Sequence, residues 1–373
     1  MRTIQIVNVR WFNATAWYGL WLSKLLSEAG HETRVFTLPG TANWDKAGEF
    51  GLKPEFLPFN SKNPLTYPNL YYKLRGIVKN FQPDIINCHR GEGFILCALL
   101  RHELKSFGLV RTRGDQRLPK TNLPNLFLHK YAADKIISTN TRMTDYFVNE
   151  MHVPPVQMHT ILGGVDTAKF NFSETGRNAV RREFGFKDSD FVVGLLGRYD
   201  EVKGHRDLLQ AIARLRKFEH QANLKVLFIG HPTPHFSEER LHGYAEEAGV
   251  GDIVHYTGKR DDIAACISAL DAGVVASLWS EAIARAALEI MACKRPLIST
   301  TVGVMPDLLP ATAMYQPGNV EELARLLLTL QNNTQFKRDL LQHQDARMQT
   351  LTPSFFLNST LDVYHAALSG LSR

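Results

Sequence analysis

Cysteines and long apolar runs are both scarce in this chain of 373 residues. Its four cysteines, Cys88, Cys97, Cys266 and Cys293, show no CxxC spacing. The sequence therefore indicates neither a disulfide framework nor a zinc site, and we expect these cysteines to be buried small hydrophobic residues. No apolar run approaches the ~20 residues that a membrane-spanning helix needs. Because the N-terminus leads directly into a predicted strand without a signal-peptide pattern, we expect a cytoplasmic protein.

Metal-binding motifs are missing as well. The 14 histidines contain no HExxH pattern. Asp188-Ser189-Asp190 resembles a metal-binding DxD motif, but it stands just before a predicted strand, and we interpret it as turn chemistry. We therefore predict no metal and no cofactor.

Composition and charge are those of a soluble globular protein with an uneven charge distribution. Hydrophobic residues make up 44% and charged residues 21% of the chain, and its length suits two domains of about 150 to 200 residues. Of the formal charge of +6, residues 1–168 hold 20 Lys and Arg against 13 Asp and Glu, while residues 169–373 hold 23 against 24. The basic front half suits an anionic acceptor or an anionic membrane surface, with a generally basic proteome as the alternative; no nucleic-acid partner is expected.

Predicted strands and helices alternate along the whole chain. Buried-strand runs such as Phe191–Leu196 are followed by helices with a period near 3.6. This order predicts an α/β protein with two Rossmann-like, doubly wound domains, each a parallel sheet covered by helices on both faces. We predict domains over residues 1–168 and 169–351, joined by a hinge around residues 164–172. A C-terminal helix in 352–373 is expected to pack back on the first domain.

The segment Trp279–Cys293, with the sequence WSEAIARAALEIMAC, is the strongest functional candidate. Ser280 is a good helix cap, so we predict a helix that begins there. Glu281 and Glu289 would then lie roughly 80° apart about the helix axis and about 12 Å apart along it. Arg285 lies between them, so an exposed salt-bridge ladder is the alternative interpretation. Predicted strands flank the segment in a βαβ order, which places Glu281 at the carboxyl end of a strand, where ligands bind.

Two cations follow the first predicted strand of the second half. Arg198 and Lys203 are accompanied by Gly197 and Gly204, which permit a tight backbone path. Such a loop suits a clamp for a diphosphate, with arginine as a fork and lysine as a mobile point charge. A Lys-Gly pair alone is also a common helix entry, so the signal depends on its combination with Glu281 and Glu289.

In the first half, polar residues follow three predicted strands. Asn13 can cap the first helix, and the backbone amides of the loop around Ala14 and Thr15 could face a ligand. His89 ends a short strand. Asp115 stands among three arginines at a strand's carboxyl end, where a functional role and a simple charge-paired loop are both open.

Together these features resemble the group-1 glycosyltransferases, which are retaining enzymes of glycosyltransferase family 4 with the GT-B fold. The resemblance covers nearly the whole chain and rests on these stretches: Gly30-His31-Glu32, Pro83-Asp84-Ile85, Gly164-Val165-Asp166 with Phe170, Gly197-Arg198 with Lys203-Gly204, the pair Glu281 and Glu289, and Pro317-Gly318-Asn319. It implies that the two domains face each other across a cleft. Residues 1–168 would bind the acceptor and residues 169–351 the nucleotide-sugar donor.

The resemblance also implies a role for each candidate residue of the second half. By this resemblance, Arg198 and Lys203 would hold the donor diphosphate, and Glu289 would accept hydrogen bonds from the ribose hydroxyls. Glu281 would lie by the transferred sugar, and Arg260 would contact the base. The backbone amides of Ala282, Ile283 and Ala284 would face the sugar or the β-phosphate. Asn13, Ala14, Thr15 and His89 would lie on the acceptor side. Fixed cations and helix-end amides can stabilise a departing nucleoside diphosphate without a metal.

Three departures from the family pattern stand out. The family commonly has glycines in the first loop, where this chain has Asn13-Ala14-Thr15-Ala16, and Gly-Phe-Gly where it has Ala282-Ile283-Ala284. Because alanine disfavours backbone angles that glycine adopts easily, the backbone of these two loops can follow a different path from that of the family. Many members also carry a histidine where this chain has Gly114. Our hypothesis is that Asp115 or His89 takes over part of its role, or that the donor sugar lacks the hydroxymethyl arrangement which that histidine contacts.

The resemblance implies transfer of a sugar, with retention and without a metal, from a nucleotide-sugar to a saccharide or lipid-linked acceptor. We expect a role in bacterial cell-surface polysaccharide or lipopolysaccharide biosynthesis, with the protein peripheral on the inner face of the membrane and domain closure assembling the site. Two alternatives remain: a sugar-nucleotide 2-epimerase, which needs no acceptor, and a non-catalytic nucleotide-sugar-binding subunit.

Overall fold

The computed structural model describes residues 1–115, 117–219 and 223–370. The chain forms two compact units: unit 1 comprises Met1–Gly163 and Pro353–Arg373, and unit 2 comprises Gly164–Thr352. The first crossing between units therefore lies after Gly163, earlier than the boundary predicted at residue 168. The chain returns to unit 1 at Pro353.

Unit 1 is built on one sheet of seven parallel strands. Its helices are α1 Ala14–Glu28, α2 Ala42–Glu49, α3 Tyr67–Phe81, α4 Phe94–Leu104, α5 Leu123–Phe127 and α6 Thr141–Asn149. Its strands are β1 Arg2–Ile6, β2 Glu32–Phe36, β3 Pro54–Glu55, β4 Ile85–Cys88, β5 Gly108–Arg113, β6 Lys135–Ser138 and β7 Met158–Thr160. The strand order is β3-β2-β1-β4-β5-β6-β7.

Unit 2 repeats the plan with six parallel strands. Its strands are β8 Phe191–Leu196, β9 Leu224–Ile229, β10 Val254–Tyr256, β11 Ala272–Val275, β12 Leu297–Thr300 and β13 Met314–Tyr315, in the order β10-β9-β8-β11-β12-β13. Its helices are α7 Glu174–Glu183, α8 His205–Glu219, α9 Glu238–Glu247, α10 Ile263–Ser268, α11 Arg285–Ala292, α12 Met305–Leu308, α13 Val320–Asn332 and α14 Thr334–Met348.

Some central strands, such as β8 with the sequence FVVGLL, are apolar along most of their length, as expected where helices cover both faces of a parallel sheet. The strand order reverses once in each sheet, between β1 and β4 in unit 1 and between β8 and β11 in unit 2. Loops at such a switch point diverge from each other, which leaves a crevice at the carboxyl ends of the strands. The predicted fold class, two doubly wound Rossmann-like domains, is confirmed.

The C-terminal helix α15, Pro353–Ser369, belongs to unit 1. Its Tyr364 hydroxyl is buried and accepts hydrogen bonds from Asn87 Nδ2 at 2.9 Å and Gln5 Nε2 at 3.2 Å. A Cβ atom on Gly108 would lie 3.1 Å from the Cβ of Ala367, so the helix packs directly on β5. Residues 353–369 are therefore part of the core of the first unit.

Three further observations complete the description. Helix α5 continues directly into a π-helical turn, Leu128–Ala132. All four cysteines are unpaired and buried, as predicted. Within the described residues, no helix is long and apolar enough to cross a membrane.

Candidate functional site

Two loops of unit 2 meet at the switch point between β8 and β11. They are the loop at 197–204 after β8 and the loop at 276–284 after β11. The backbone N–H of Leu278 donates to the carbonyl oxygen of Val202 at 2.9 Å. Gly204 has a φ of 68°, and a Cβ there would lie 2.0 Å from the carbonyl oxygen of Ala276. Only glycine allows this approach, so the Lys203-Gly204 pair fixes the contact between the loops.

A buried carboxylate is the centre of this contact. Glu281 is 6% exposed, and its Oε1 atom forms an ion pair with Nζ of Lys203. The hydroxyl of Ser277 donates to the same oxygen at 2.5 Å. Lys203 is fixed at the end of a short 3-10 helix, Glu201–Lys203, that Asp200 caps. The structure therefore brings together Lys203 and Glu281, two residues singled out in the sequence.

Gly303 and Ser277 are functional candidates that sequence reasoning missed. A Cβ on Gly303 would lie 1.9 Å from the carbonyl oxygen of Glu281, and its φ is 64°. The same carbonyl accepts a hydrogen bond from the N–H of Val304 at 2.8 Å. Gly303 thus lets the loop after β12 hold the backbone of Glu281. The available signal was a glycine shortly after a predicted strand.

The helix predicted to begin at Ser280 is wrong in its starting point. Helix α11 begins at Arg285, and Glu281 lies in the preceding loop. The expected angle and distance between Glu281 and Glu289 along one helix therefore do not apply. The contacts of Glu281 with Lys203, Ser277 and Val304 hold this segment out of the helix that its local sequence favours.

Ala284 caps α11 in a left-handed conformation, with φ and ψ both 50°. Its carbonyl oxygen accepts from the N–H groups of Ala287 and Leu288 at 2.9 and 3.2 Å. Ala284 is 2% exposed and Ile283 is fully buried. The alanine therefore adopts the kind of backbone angle that glycine takes more easily.

Glu289 is a second buried carboxylate, on α11. It is 7% exposed, and its Oε1 accepts from Nη2 of Arg285 at 2.9 Å. Burial raises the pKa of Glu289, and the charge of Arg285 opposes that rise only in part. The alternative of a salt-bridge ladder is therefore correct for Arg285 and Glu289, although this pair is partly buried. Glu281 is not part of the ladder.

Two cations that the sequence placed in the site have other partners. Arg198 is half exposed, and its Nε and Nη2 atoms donate to Oδ2 of Asp200 at 3.0 and 2.9 Å. Arg260 pairs with Asp262 at 2.7 Å and with Glu183 at 2.6 Å. No recorded contact among the described residues joins either arginine to Lys203, Glu281 or Glu289.

The first loop of unit 1 is capped as predicted. The side chain of Asn13 accepts from the N–H of Ala16 at 3.0 Å, and α1 begins at Ala14. The hydroxyl of Thr15 is buried and donates to the carbonyl oxygen of Gly114 at 2.7 Å. This loop is thereby tied to the backbone beside Asp115.

His89 lies in the core of unit 1. Its ring is fully buried, with Nε2 2.9 Å from Oε1 of Gln5, and a Cβ on Gly19 would approach the ring to 3.0 Å. Burial, reinforced by the charge of Arg111, lowers its pKa to about 3. The ring is therefore inaccessible to an acceptor substrate. The prediction that His89 lies on the acceptor side is wrong. Two hypotheses about the missing histidine stay: Asp115 takes over part of its role, or the donor sugar lacks the hydroxymethyl arrangement which that histidine contacts.

Asp115 lines a large cavity in unit 1. Its Oδ1 atom accepts from Nη2 of Arg113 at 3.0 Å. The cavity has a volume of about 1000 Å³ and opens beside the carboxyl ends of β4 and β5. Within the described part of the chain, no group of three His, Cys, Asp or Glu side chains is arranged to hold a metal ion.

The fold, two doubly wound units with parallel sheets, is that of the GT-B glycosyltransferases, and the second unit pairs partly buried Lys203 with buried Glu281 at its switch point. Family models support this class: the model described as Glycosyl transferases group 1 matches residues 190–333, and that described as Glycosyltransferase Family 4 matches residues 18–169. The chain belongs to the group 1 glycosyltransferases, of the family 4 type.

A curated relative agrees with this assignment, and solved structures agree with the fold. D-inositol 3-phosphate glycosyltransferase 2 of Catenulispora acidiphila is 28% identical over 55% of this chain and 49% of its own length; the chain thus spans about half of this curated relative. A glycosyltransferase from Rickettsia africae has a TM-score of 0.87 at 17% identity, covering 98% of both chains. Anabaena Alr3699/HepE, solved with UDP, has a TM-score of 0.84 at 17% identity, covering 98% of this chain and 100% of its own.

Proposed function

We propose that this protein transfers a sugar from a nucleotide-sugar, bound by unit 2, to a saccharide or lipid-linked acceptor bound by unit 1. The observation that carries the proposal is the pairing of Lys203 with buried Glu281 at the switch point of the second sheet. Ligands of doubly wound domains bind at such points. Anabaena Alr3699/HepE binds UDP, so we propose a UDP-sugar as the donor.

Lys203 is the residue best placed to contact the donor diphosphate. An ammonium group has three N–H donors, and among the described residues the only recorded partner of Nζ is Glu281. Two donors therefore remain for phosphate oxygens. The carboxylate of Glu281 holds the lysine in place and can also accept a hydrogen bond from a hydroxyl of the transferred sugar.

Glu289 suits the role of accepting the ribose hydroxyls. Its carboxylate is held by Arg285 and lies at the first turns of α11. Arg198 and Arg260 are proposed to reach the diphosphate and the base by exchanging partners, because each is now paired with nearby carboxylates. Lys203, and Arg198 once it has exchanged Asp200 for the diphosphate, would stabilise the leaving group with positive charge, so we propose a metal-independent reaction.

The finer features of the reaction follow from the family type and are proposals. We propose retention of the anomeric configuration, with the leaving phosphate oxygen drawing the acceptor proton and Asp115 supplying part of the missing histidine's role. We also propose a place in bacterial cell-surface polysaccharide or lipopolysaccharide synthesis, at the inner face of the membrane. The 20 basic against 13 acidic residues of positions 1–168 favour an anionic acceptor or membrane surface.

The first test is a thermal-shift screen with UDP-, GDP-, ADP- and TDP-sugars, followed by turnover with the donor that binds. A ligand that binds only the folded state raises the melting temperature. Lys203→Met should weaken donor binding by about 10- to 100-fold, the usual effect of losing a charge-assisted hydrogen bond. Lys187→Met is the matched control, because Lys187 is an exposed lysine of the same unit.

Five outcomes would contradict the proposal or part of it. Stabilisation by none of the nucleotide-sugars, or equal donor binding by the Lys203→Met variant, would remove the assigned donor site. Tight binding without transfer or hydrolysis would indicate a non-catalytic subunit, and an epimer formed without acceptor would indicate a 2-epimerase. Full turnover by Asp115→Asn would exclude the role proposed for that carboxylate.

A further inference from the structure

Arg111 is a buried cation without an anionic partner. It lies on β5 and is 1% exposed. Its Nη1 atom donates to the carbonyl oxygens of Cys88 at 2.7 Å and Thr112 at 2.5 Å. Its Nε and Nη2 atoms are buried and have no hydrogen-bond partner, and no carboxylate of the described residues forms an ion pair with it. An unpaired buried charge is costly and calls for a compensating group.

The charge of Arg111 persists at neutral pH. Burial, together with the charge of Arg113, lowers the pKa of Arg111 to about 9. Its guanidinium lies 5.6 Å from the ring centre of Phe94, which provides an attractive face but no countercharge. A fork of N–H donors in this setting suits bidentate binding of a phosphate or carboxylate.

The cavity of about 1000 Å³ in unit 1 is lined by Arg111 and is strongly cationic. Its charged lining side chains are Arg90, Arg111, Arg113, Arg117, Lys120, Glu92 and Asp115. Both carboxylates are already paired, Glu92 with Arg90 at 3.3 Å and Asp115 with Arg113 at 3.0 Å. Three cations of the lining therefore remain without a recorded carboxylate partner among the described residues.

His129, which also lines the cavity, supplies a hydrogen-bond acceptor for a hydroxyl group. Its Nδ1 atom lies 2.8 Å from the carbonyl oxygen of Asn125, to which it must donate. In the neutral ring Nε2 then carries a lone pair, and this atom is buried without a partner. Burial lowers the pKa of His129 to about 4, so the ring is neutral at physiological pH. His129 belongs to the π-helical turn Leu128–Ala132, and such turns are frequent at functional sites.

We propose that this cavity binds a phosphorylated sugar. Its phosphate would lie beside Arg111, and one of its sugar hydroxyls would donate a hydrogen bond to Nε2 of His129. The cavity volume exceeds what a phosphate alone would fill, which is why we assign the whole sugar phosphate to it. Identifying this ligand as the acceptor rests on the proposed function, but the binding itself does not.

The test is calorimetric titration of the full chain with glucose 6-phosphate, glucose and inorganic phosphate. We expect binding of the sugar phosphate, at least tenfold weaker binding of inorganic phosphate, and no binding of glucose. Arg111→Met should abolish binding of the sugar phosphate. Arg75→Met should leave it unchanged, because Arg75 of α3 pairs with Glu103 of α4 and does not line the cavity.

A second pair of variants keeps the test decisive if Arg111→Met fails to fold. Gly91 lines the cavity, and a Cβ there would meet no atom within 4 Å. Gly91→Asp should therefore weaken binding of the sugar phosphate at least tenfold through charge alone, while the isosteric Gly91→Asn should not. Equal binding by both variants, or equal affinity for inorganic phosphate and the sugar phosphate, would overturn the proposal.

A parallel titration with UDP separates this inference from the proposed function. Lys203→Met should lose UDP binding and keep glucose 6-phosphate binding, since Lys203 belongs to unit 2. Binding of UDP without any binding of the sugar phosphate would refute only the cavity assignment. Binding of the sugar phosphate without binding of a nucleotide-sugar would refute only the donor site.

Discussion

Ala284 stores backbone strain directly before the helix that carries Glu289. A left-handed conformation costs an alanine roughly 1–2 kcal/mol relative to ordinary helical angles. Its φ of 50° is accompanied by nearly complete burial and by two hydrogen bonds to its carbonyl oxygen. Such strain persists only where surrounding contacts enforce it, and it concentrates at functional sites. Glu281, held by Lys203 on one side and Gly303 on the other, supplies that enforcement.

We predict that Ala284→Gly stabilises unit 2. Glycine removes the steric cost but gains entropy in the unfolded chain, so the free energy of unfolding should rise by at most about 1 kcal/mol. The urea midpoint measures it. Ala286→Gly, two residues into the same helix, should lower stability by about 0.5–1 kcal/mol. A loss of stability in Ala284→Gly would contradict the strain argument.

The loop from β8 to α8 is the element that connects the site to the interior of unit 2. His205 begins α8, is 2% exposed, and packs with ring-centre distances of 5.7 Å to Tyr199 and 5.2 Å to Phe228. Burial lowers its pKa to about 4. The loop that presents Lys203 is therefore anchored by a neutral imidazole in an aromatic environment.

We predict that His205→Phe stabilises the protein more at low pH than at high pH. An unfolded histidine takes up a proton below about pH 6.5, but folded His205 does so only near pH 4. The histidine's contribution to stability is therefore lost as pH falls from about 6.5 toward 4, by ~1.4 kcal/mol per pH unit at most. Phenylalanine keeps the aromatic packing and does not titrate.

Urea midpoints at pH 8 and pH 5 provide the measurement for His205→Phe. The gain should be about 2 kcal/mol larger at pH 5 than at pH 8. His235→Gln is the control, because His235 is an exposed histidine near the same aromatic cluster, and its effect should not depend on pH in this way. Equal gains at both pH values would show that folding does not lower the pKa of His205.

At the scale of the whole molecule, the two units differ in how the chain builds them. Unit 2 is one continuous segment, Gly164–Thr352, whereas unit 1 needs both ends of the chain. Tyr364 of the last helix receives hydrogen bonds from the amide groups of Gln5 and Asn87 inside the unit 1 core. Without that helix the two amides lose a buried partner, at a cost of about 1–3 kcal/mol each.

We predict that residues 164–352 fold alone and bind UDP, while residues 1–163 alone do not fold. Joining 353–370 to 1–163 through a flexible linker should restore a cooperative transition, because it returns the missing helix to the core. Circular dichroism on heating measures folding, and UDP-induced stabilisation measures the donor site. A cooperative transition in the 1–163 fragment would show that α15 is dispensable for unit 1.

Much of the fold was readable from local patterns. Strand β8 was predicted residue for residue, because a buried parallel strand reads as an unbroken apolar run. The start of α11 was not, because Ser280 and the alanines favour a helix that remote contacts with Lys203 and Gly303 prevent. Helix propensity amounts to tenths of a kcal/mol per residue, so a buried ion pair overrides it.

Sequence alone predicted the alternation of strands and helices and the two-domain α/β class, and it singled out Lys203, Glu281 and Glu289 as site candidates, because periodicity and strand ends are local properties. Only the tertiary structure showed that Lys203 pairs with Glu281, that Arg198 and Arg260 have other partners and that His89 is interior. It also showed that no carboxylate of the described residues forms an ion pair with Arg111. Burial and charge pairing depend on contacts between residues that are distant in the sequence. Local sequence patterns do not specify those tertiary contacts.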